Sequence, residues 1–540
     1  MRGMRGPSMA GYDYVIVGGG SAGCALAARL SENPDVSVLL LEAGPKDTNP
    51  YIHMPVGFAK MTTGPLTWSL KTAPQAHCKG REIPYAQGRV LGGGGSINAE
   101  VFTRGNPADY DAWAAEFGCA GWSFSEVKPY FLRSEDNDTL AGDWHGIGGP
   151  LGVHSPSPQP LTRGFVQACQ QFGMPYNPDF NGPRQEGAGA YQITTRGARR
   201  CSAAVGYLRP ARNRRNLTVR TGAPARRIVV ETGRAVGVEL MDGETVRAGA
   251  EVILTGGAIG SPKLMMLSGL GPADHLRAAG VDVVADIPEV GRNLHDHFGV
   301  DLVYELHRPD SFDKYNKPHW MVWAGIEYML FGKGPVASNV VEGGAFWYAD
   351  GEAPTPDLQF HFLVGAGVEA GVAKIGSGSG CTLNSYTLRP RARGSVTLRS
   401  ADPADAPIVD PNFLGDPYDV ETSTNGVMMS REIMSQPAMR RYVKREHFPG
   451  DAVKTRADFE DYARDRGRTS YHPVGTCRMG GDDASVVDPE LRVRAVEGLR
   501  ICDSSVMPRL VSSNTNAPSI MIGEKAADLI LGNRRAADAA

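Results

Sequence analysis

A chain of 540 residues and 57.7 kDa, 41% apolar and 21% charged, can bury two sizeable cores, or one large core with an inserted second one. A net charge of −3 and a pI near 6.5 give no electrostatic case for nucleic acid or an anionic membrane as a partner. Eight cysteines are scattered without a C-x-x-C pair, which suits free thiols in a reducing compartment better than a disulfide framework.

Residues 1–11, MRGMRGPSMAG, carry two arginines but no apolar h-region, so a disordered leader is expected and not a signal peptide. No apolar run is long enough to span a bilayer. A cytoplasmic location is expected, with peripheral attachment at the inner membrane left open.

The first ordered stretch organises the rest. Residues 14–17 form a β-branched apolar run bounded by glycines and read as a buried strand. Gly18-x-Gly20-x-x-Gly23 follows, then helical composition over 24–30, then a second strand over 36–41 that ends in Glu42. Gly18 permits a tight turn, Gly20 lets the backbone approach a pyrophosphate, and Gly23 lets helix pack on strand. The helix start, at Ser21 and Ala22, offers free N–H groups and about half a positive charge to phosphates. Glu42 lies 19 residues after Gly23, placed to accept from the ribose hydroxyls of an adenosine. Gly19–Gly23 also reads as G-x-S-x-G, the serine-hydrolase elbow built on Ser21. That elbow normally follows several strands, whereas one at most precedes it here, and it leaves Gly18 and Glu42 unexplained.

Residues 45–87 read as an irregular crossover. Next comes GRVLGGGGSIN, 88–98, whose four glycines suit close backbone approach to a planar ligand. Residues 109–132 and 160–172 read as helices, 173–200 as irregular, and 217–254 as strands with turns. A strand at 251–255 runs into a glycine turn and a helix at 261–267, a second unit of the opening kind. His295-x-His297 has no third or fourth ligand nearby, so no metal is expected. Over 300–448 aromatic residues cluster, Tyr304, Trp320, Trp323, Phe346, Trp347, Phe360 and Phe362, alongside strand-like runs at 358–364 and 394–398. This reads as a substrate-binding sheet, with 377–381 as a mobile loop. The last part holds YHPVGTCRMG, 471–480, a short strand at 499–502 ending at Asp503, and a helix over 519–530.

With these segments placed, the chain resembles the glucose–methanol–choline (GMC) family of flavin-dependent alcohol oxidoreductases over about 12–530. Three signatures carry the resemblance: Gly88-Arg89-x-Leu91-Gly92-Gly93 through Asn98; Gly257-Ala258-x-x-Ser261-Pro262 through Gly271; and His472-Pro473-x-Gly475-Thr476 with Asn514 42 residues after His472. The detail at 43–55 and 513–530 is similar to bacterial alcohol dehydrogenases of the aliphatic and polyethylene-glycol types, with choline dehydrogenases nearby. The resemblance implies an α/β fold in which a discontinuous Rossmann-like FAD-binding domain (12–157, 209–304 and 464–536) carries an inserted α+β substrate-binding domain on an antiparallel sheet (158–208 and 305–463). It implies FAD held by Gly18, Gly20, Ser21, Ala22, Gly23, Glu42, Ala43, Arg89, Gly92, Gly93 and Asn98, with Ala225 near the adenine and Asp503 near the flavin tail. Members that attach FAD covalently use a histidine where this chain has Ile97, so non-covalent FAD is expected.

Oxidising an alcohol removes a hydroxyl proton and a hydride from the same carbon, the hydride going to flavin N5. His472, with an ordinary imidazole value near working pH and Pro473 restricting its backbone, is the expected catalytic base. Asn514 is expected to donate to the substrate oxygen. The expected substrate is a primary alcohol of aliphatic, aromatic or polyether character, and the expected acceptor a quinone or other carrier. Ser470 adds a slight hint against dioxygen, if its hydroxyl makes the flavin surface less apolar. Choline dehydrogenase and an oxygen-using oxidase remain open within the family. Outside it stand a Ser21 hydrolase, a non-catalytic FAD-binding protein and an NAD dehydrogenase.

Overall fold

The computed structural model describes residues 11–532 apart from 352, 369–371, 373 and 377. Residues 1–10 of the leader expected at 1–11, Ser377 of the expected loop and the expected domain end at 533–536 lie outside the described residues.

The chain opens as its glycine pattern requires, with β1 (Tyr12–Val17), α1 (Ser21–Leu30) and β2 (Val38–Glu42). The crossover expected to be irregular contains an antiparallel hairpin, Thr67–Lys71 on Pro84–Gly88. Prolines and glycines around it mask the alternation of a short strand pair. The expected helical stretch divides into α2 (Pro107–Phe117) and α3 (Phe124–Ser134). Gly118 ends α2 with φ 66, and the Ser123–Glu126 capping box opens α3. α4 (Pro160–Phe172) matches its expected span, and Gly173 caps it in the left-handed region.

β3 (Gly187–Ala190) departs from the sequence reading. Its GAGA run has no hydrophobic alternation, yet it joins a sheet. A Cβ on Gly189 would meet the Asn177 carbonyl oxygen at 2.0 Å, so packing selects small residues there. The chain then supplies β4 (Leu217–Thr221), β5 (Ala225–Glu231), β6 (Arg234–Leu240), β7 (Thr245–Leu254) and α5 (Gly257–Leu267). It crosses over as β8 (Phe298–Leu306), α6 (Pro318–Phe331), β9 (Val341–Trp347), β10 (Leu358–Leu363), β11 (Gly380–Thr387), α7 (Pro417–Met434), β12 (Val443–Phe448) and β13 (Arg468–Thr469). β14 (Leu499–Ile501) and α8 (Asn516–Leu531) close the described chain.

Two seven-stranded sheets result. The first has the order β4-β2-β1-β7-β6-β5, with β14 also on β7. β4, β2, β1, β7 and β14 run parallel. Their carboxyl ends therefore meet at one edge, which gathers the turn after β1, Glu42, Thr255 and Asp503 from distant parts of the sequence. Every residue of β2 is buried, as an unbroken VLLLE run demands of a strand covered on both faces. The second sheet has the order β12-β8-β11-β10-β9-β3, with β13 on β8, and is antiparallel throughout. β8, β10 and β11 are wholly buried. α7 packs against β8 and β11, and α4 against β3 and β9.

Two further expectations are corrected. Gly380 and Cys381, placed in a mobile loop, begin the buried strand β11. Trp320 and Trp323, assigned to the sheet, stand exposed on α6. Composition showed that the region is aromatic, but not which aromatics face inward. Among the described residues no helix is long and apolar enough to cross a membrane.

Candidate active site

The glycine turn after β1 is built by backbone contact. Gly18 has φ 119. A Cβ on Gly23 would sit 2.0 Å from the Gly18 carbonyl oxygen. The second glycine-rich turn lies directly against the first: the Gly92 N–H donates to the Gly19 carbonyl (2.7 Å), and a Cβ on Gly93 would reach the Gly20 Cα at 2.7 Å. Gly20 differs, since its Cβ would meet nothing nearer than the Thr255 carbonyl oxygen at 3.8 Å. The space beside Gly20 is open.

Two helix starts converge at this opening. Gly20 precedes α1 and Thr515 precedes α8, neither giving a side-chain cap, so the first N–H groups of both helices lack intrahelical partners. Ser21 Oγ donates to Asn516 Oδ1 at 2.7 Å and ties the two together. That contact, with no histidine on Ser21, also removes the hydrolase elbow. Arg89 Nε is buried without a partner, an unsatisfied donor that an anion would satisfy. The buried Glu42 carboxylate accepts from the Gly19 N–H (2.8 Å) and the Gly44 N–H (2.7 Å). Burial raises its pKa, against those donors and Arg89. Asp503, also buried and raised by burial, accepts from Ser261 Oγ (2.6 Å), the Gly257 N–H (2.9 Å) and the Ser505 N–H (2.8 Å). Free N–H groups, an unpaired guanidinium nitrogen and a carboxylate at the end of β2 fit the phosphates and ribose of FAD.

The other candidate cofactor residues fall around this edge. Ala22 is buried in α1, and Ala43 follows β2. Asn98 Oδ1 accepts from Arg200 Nη1 (2.7 Å) and the Glu100 N–H (3.1 Å). Ala225 opens β5 opposite Leu240, two residues after Ala223, whose N–H donates to the Glu42 carbonyl at 2.9 Å.

The structure brings His472 and Asn514 together. Asn514 Nδ2 lies 3.2 Å from His472 Nε2, and Asn514 Oδ1 accepts from Gln359 Nε2 (3.1 Å) and Thr103 Oγ1 (3.2 Å). An amide nitrogen only donates, so His472 Nε2 is the accepting lone pair. The His472 proton then resides on Nδ1, which lies 3.1 Å from His297 Nδ1. His297 accepts there and donates from Nε2 to the Leu388 carbonyl at 3.0 Å. The network thus assigns both tautomers.

The His472 backbone is held as firmly as its ring. Its N–H donates to Asp296 Oδ1 at 2.9 Å, while Asp296 Oδ2 accepts from Tyr85 Oη (2.6 Å) and Thr469 Oγ1. Tyr471, immediately before it, has φ 63, a conformation costly for a bulky residue and maintained by its surroundings. Burial, with His297 and His361 close by, pushes the His472 pKa well below the ordinary imidazole value. Burial likewise lowers His297 to about 4 and His361 to about 3, and raises Asp296 to about 6. The three imidazoles are therefore neutral at physiological pH, with a lone pair on His472 Nε2. Asn514 lies two residues before Asn516, so the cradle and the histidine centre share the start of α8.

The sequence reading missed His297, Asp296 and the supports from Gln359, His361 and Thr103. Read from sequence, His295-x-His297 suggests only a metal motif, and the missing third and fourth ligands argue against that. His295 accepts the Leu510 N–H at 2.9 Å and donates from Nδ1 to the Asn293 carbonyl at 2.6 Å, whereas His297 faces His472. Among the described residues no cluster of His, Cys, Asp or Glu is placed to hold a metal ion.

The GMC oxidoreductase pattern matches this chain twice, over residues 12–299 and 390–523. An alcohol dehydrogenase [acceptor] of Pseudomonas putida is 43% identical over 531 residues, covering 96% of each chain. An oxygen-dependent choline dehydrogenase of Brucella suis is 42% identical, covering 96% of this chain and 95% of its own. A variant formate oxidase of Aspergillus oryzae RIB40, studied for modification of its FAD, superposes with a TM-score of 0.90 at 26% identity, covering 96% of this chain and 98% of its own.

Proposed function

Because the chain belongs to the GMC oxidoreductase family, we propose that it oxidises a primary alcohol of aliphatic, aromatic or polyether character to the aldehyde and passes the electrons to a quinone or similar carrier. It is an FAD-dependent oxidoreductase of α/β architecture. The observation that carries the reading is the His472–Asn514 pair with an unprotonated Nε2, set at the start of the helix that also touches the cofactor cradle. The division into a cofactor part (12–157, 209–304 and 464–536) and a substrate part (158–208 and 305–463) belongs to the same proposal. The two sheets support it, with β8 running across the boundary.

Bound FAD supplies the two-electron acceptor. The cradle residues would hold its phosphates and ribose, and the protein's own groups do the rest. His472 Nε2 receives the hydroxyl proton as the C–H bond breaks. Asn514 Nδ2 donates to the substrate oxygen and holds the charge that develops there. His297 fixes the proton on His472 Nδ1, so that Nε2 faces the alcohol. Asp296 fixes the backbone from which the ring projects. Ser470, whose N–H donates to the His297 carbonyl and whose buried Oγ has no partner, adds polarity beside the histidines and favours a carrier over dioxygen.

The test is anaerobic reduction of the holoenzyme by a panel of alcohols, then reoxidation by air or by a soluble quinone analogue. A carrier-using enzyme reoxidises faster with quinone and makes little peroxide. Stoichiometric peroxide at a matching rate in air makes it an oxidase. The Brucella relative favours a second reading, choline oxidation, which a kcat/KM for choline above that for any alkanol or oligo-ether would establish. Acid precipitation tests the non-covalent attachment inferred from Ile97: yellow colour belongs in the supernatant, and flavin kept in the pellet contradicts it.

A further inference from the structure

α6 breaks the rule that apolar surface is buried. Its sequence, PHWMVWAGIEYMLF, has one charged residue, and of its fourteen residues only Ala324 is buried. Met329 is 78% exposed, Phe331 69% and Trp323 59%. Trp320, Met321, Val322 and Trp323 are consecutive and all exposed. At about 100° per residue they point in four directions, so apolar surface is exposed around the helix, although Trp320 also packs on Tyr315. A helix that completes a core shows one apolar stripe, and one apolar all round is meant for an apolar medium.

We infer that α6 is a membrane-docking helix that inserts into the interfacial layer of an anionic lipid bilayer. Its flanks fit that medium. Lys317 at the helix start and Lys333 just past its end are exposed and make no ion pair among the described residues. Lys314 stacks over Tyr315 (5.1 Å) and Trp320 (5.7 Å). Glu327, the one acid, is half-buried and turned back toward Gly334. Tryptophans with lysines at the ends and no exposed carboxylate on the helix are complementary to anionic headgroups over acyl chains. Fourteen residues make a helix of about 21 Å, too short to cross a hydrocarbon core of about 30 Å and suited to lying in its surface. The net charge of −3 hid this, because it averages a local cationic rim over the whole chain. A second copy packed α6 on α6 would offer Lys317 and Lys333 no exposed carboxylate of that helix, whereas anionic headgroups supply the opposite charge.

The base of α6 leads to the site. Tyr328 Oη donates to the Ala198 carbonyl at 3.1 Å, and Asn339 Nδ2 to the Ala99 carbonyl at 2.6 Å, next to Asn98. Val340 and Val341 join the apolar cluster that includes Ile97, Tyr191 and Phe346. An apolar alcohol and a quinone both partition into a bilayer, so docking brings the protein to the phase that holds them. That purpose rests on the proposed function, but the docking itself does not.

The experiment is flotation of the holoenzyme with vesicles of phosphatidylglycerol and phosphatidylcholine, and with phosphatidylcholine alone. The wild type should float with the anionic vesicles, more weakly as salt is raised. Met329→Glu/Phe331→Glu should raise the vesicle Kd at least about tenfold. Lys317→Glu/Lys333→Glu should abolish the preference for anionic lipid. Turnover with a soluble acceptor should stay unchanged in both, which also checks that they fold. A wild type that stays unbound with every vesicle overturns the inference. So does a dimer that Met329→Glu/Phe331→Glu dissociates without any vesicle binding, since α6 would then be an interface between copies. Vesicle binding without alcohol oxidation would leave docking standing and remove the proposed function.

Discussion

The cofactor cradle and the histidine centre meet at the start of α8, and they are built from different materials. The cradle is backbone: glycine turns pressed together, N–H groups of two helix starts, and one carboxylate at a strand end. The histidine centre is side chain: two imidazoles, two amides and a carboxylate in one hydrogen-bonded chain. A backbone site fails sterically, because an added methyl has nowhere to go. A side-chain site fails chemically, because its outline survives while a proton position is lost. The two regions should therefore break in different ways.

The largest effect is expected at Gly23→Ala. Its Cβ would overlap the Gly18 carbonyl oxygen, so the opening β1–α1 unit cannot close, at a cost of about 3 kcal/mol or more. Little folded holoenzyme should be recovered, measured by Tm and flavin absorbance. Gly20→Ala sharpens the contrast. Protein atoms leave room for its Cβ, so the apoprotein Tm should hold while FAD affinity falls, because the space beside Gly20 is where the pyrophosphate would pass. Equal loss of apoprotein stability in both variants would end the distinction between a protein contact and a cofactor contact.

At the side-chain end, His472→Ala should keep FAD and slow alcohol oxidation by about 10²–10⁴-fold, the usual worth of a positioned base. Asn514→Ala should cost less and appear in both rate and substrate binding. His297→Leu should cost about tenfold, roughly one hydrogen bond, by releasing the His472 tautomer. Its KM should change little, since His297 acts through His472. A His297→Leu enzyme with full rate would reduce the residue to packing.

The smallest effect is on acid stability. His295, His297, His361 and His472 are all held neutral below the ordinary value of 6.5. The unfolded chain takes up their protons as pH falls below 6.5, whereas folded His297 waits until about 4 and folded His361 until about 3. Their contribution is thus complete above 6.5 and drains as pH falls toward those values. Asp296 works the other way: raised from 3.8 to about 6, it stabilises the fold as pH falls through that range. Glu42 and Asp503, also raised by burial, act in the same direction as Asp296, so the histidine contribution is read as a difference between variants. Between about pH 7 and about pH 4.5 the wild-type Tm should shift downward relative to that of His297→Leu. An unchanged profile in that variant would mean that His297 takes no part in the acid loss.

The sequence by itself determined the parts whose physics is local. β1, α1, β2 and Glu42 follow from a strand pattern, three glycines and an acid at fixed spacing, and α4 from its own periodicity and caps. His472 and Asn514 stood out because they sit in dense motifs, and the structure puts them in contact across 42 residues. Tertiary structure decided everything that depends on which surfaces meet. The His297–His472 contact spans 175 residues, and the Ser21–Asn516 contact that joins the cradle to the catalytic end spans 495. No local pattern encodes a hydrogen bond between residues so far apart. β3 was illegible because small residues were selected by a neighbouring backbone and not by periodicity. The direction in which an aromatic faces was illegible for the same reason. Phe360 and Trp323 belong to one aromatic stretch of sequence, yet one lies in the core and the other in solvent, because only β10 found a sheet to cover it.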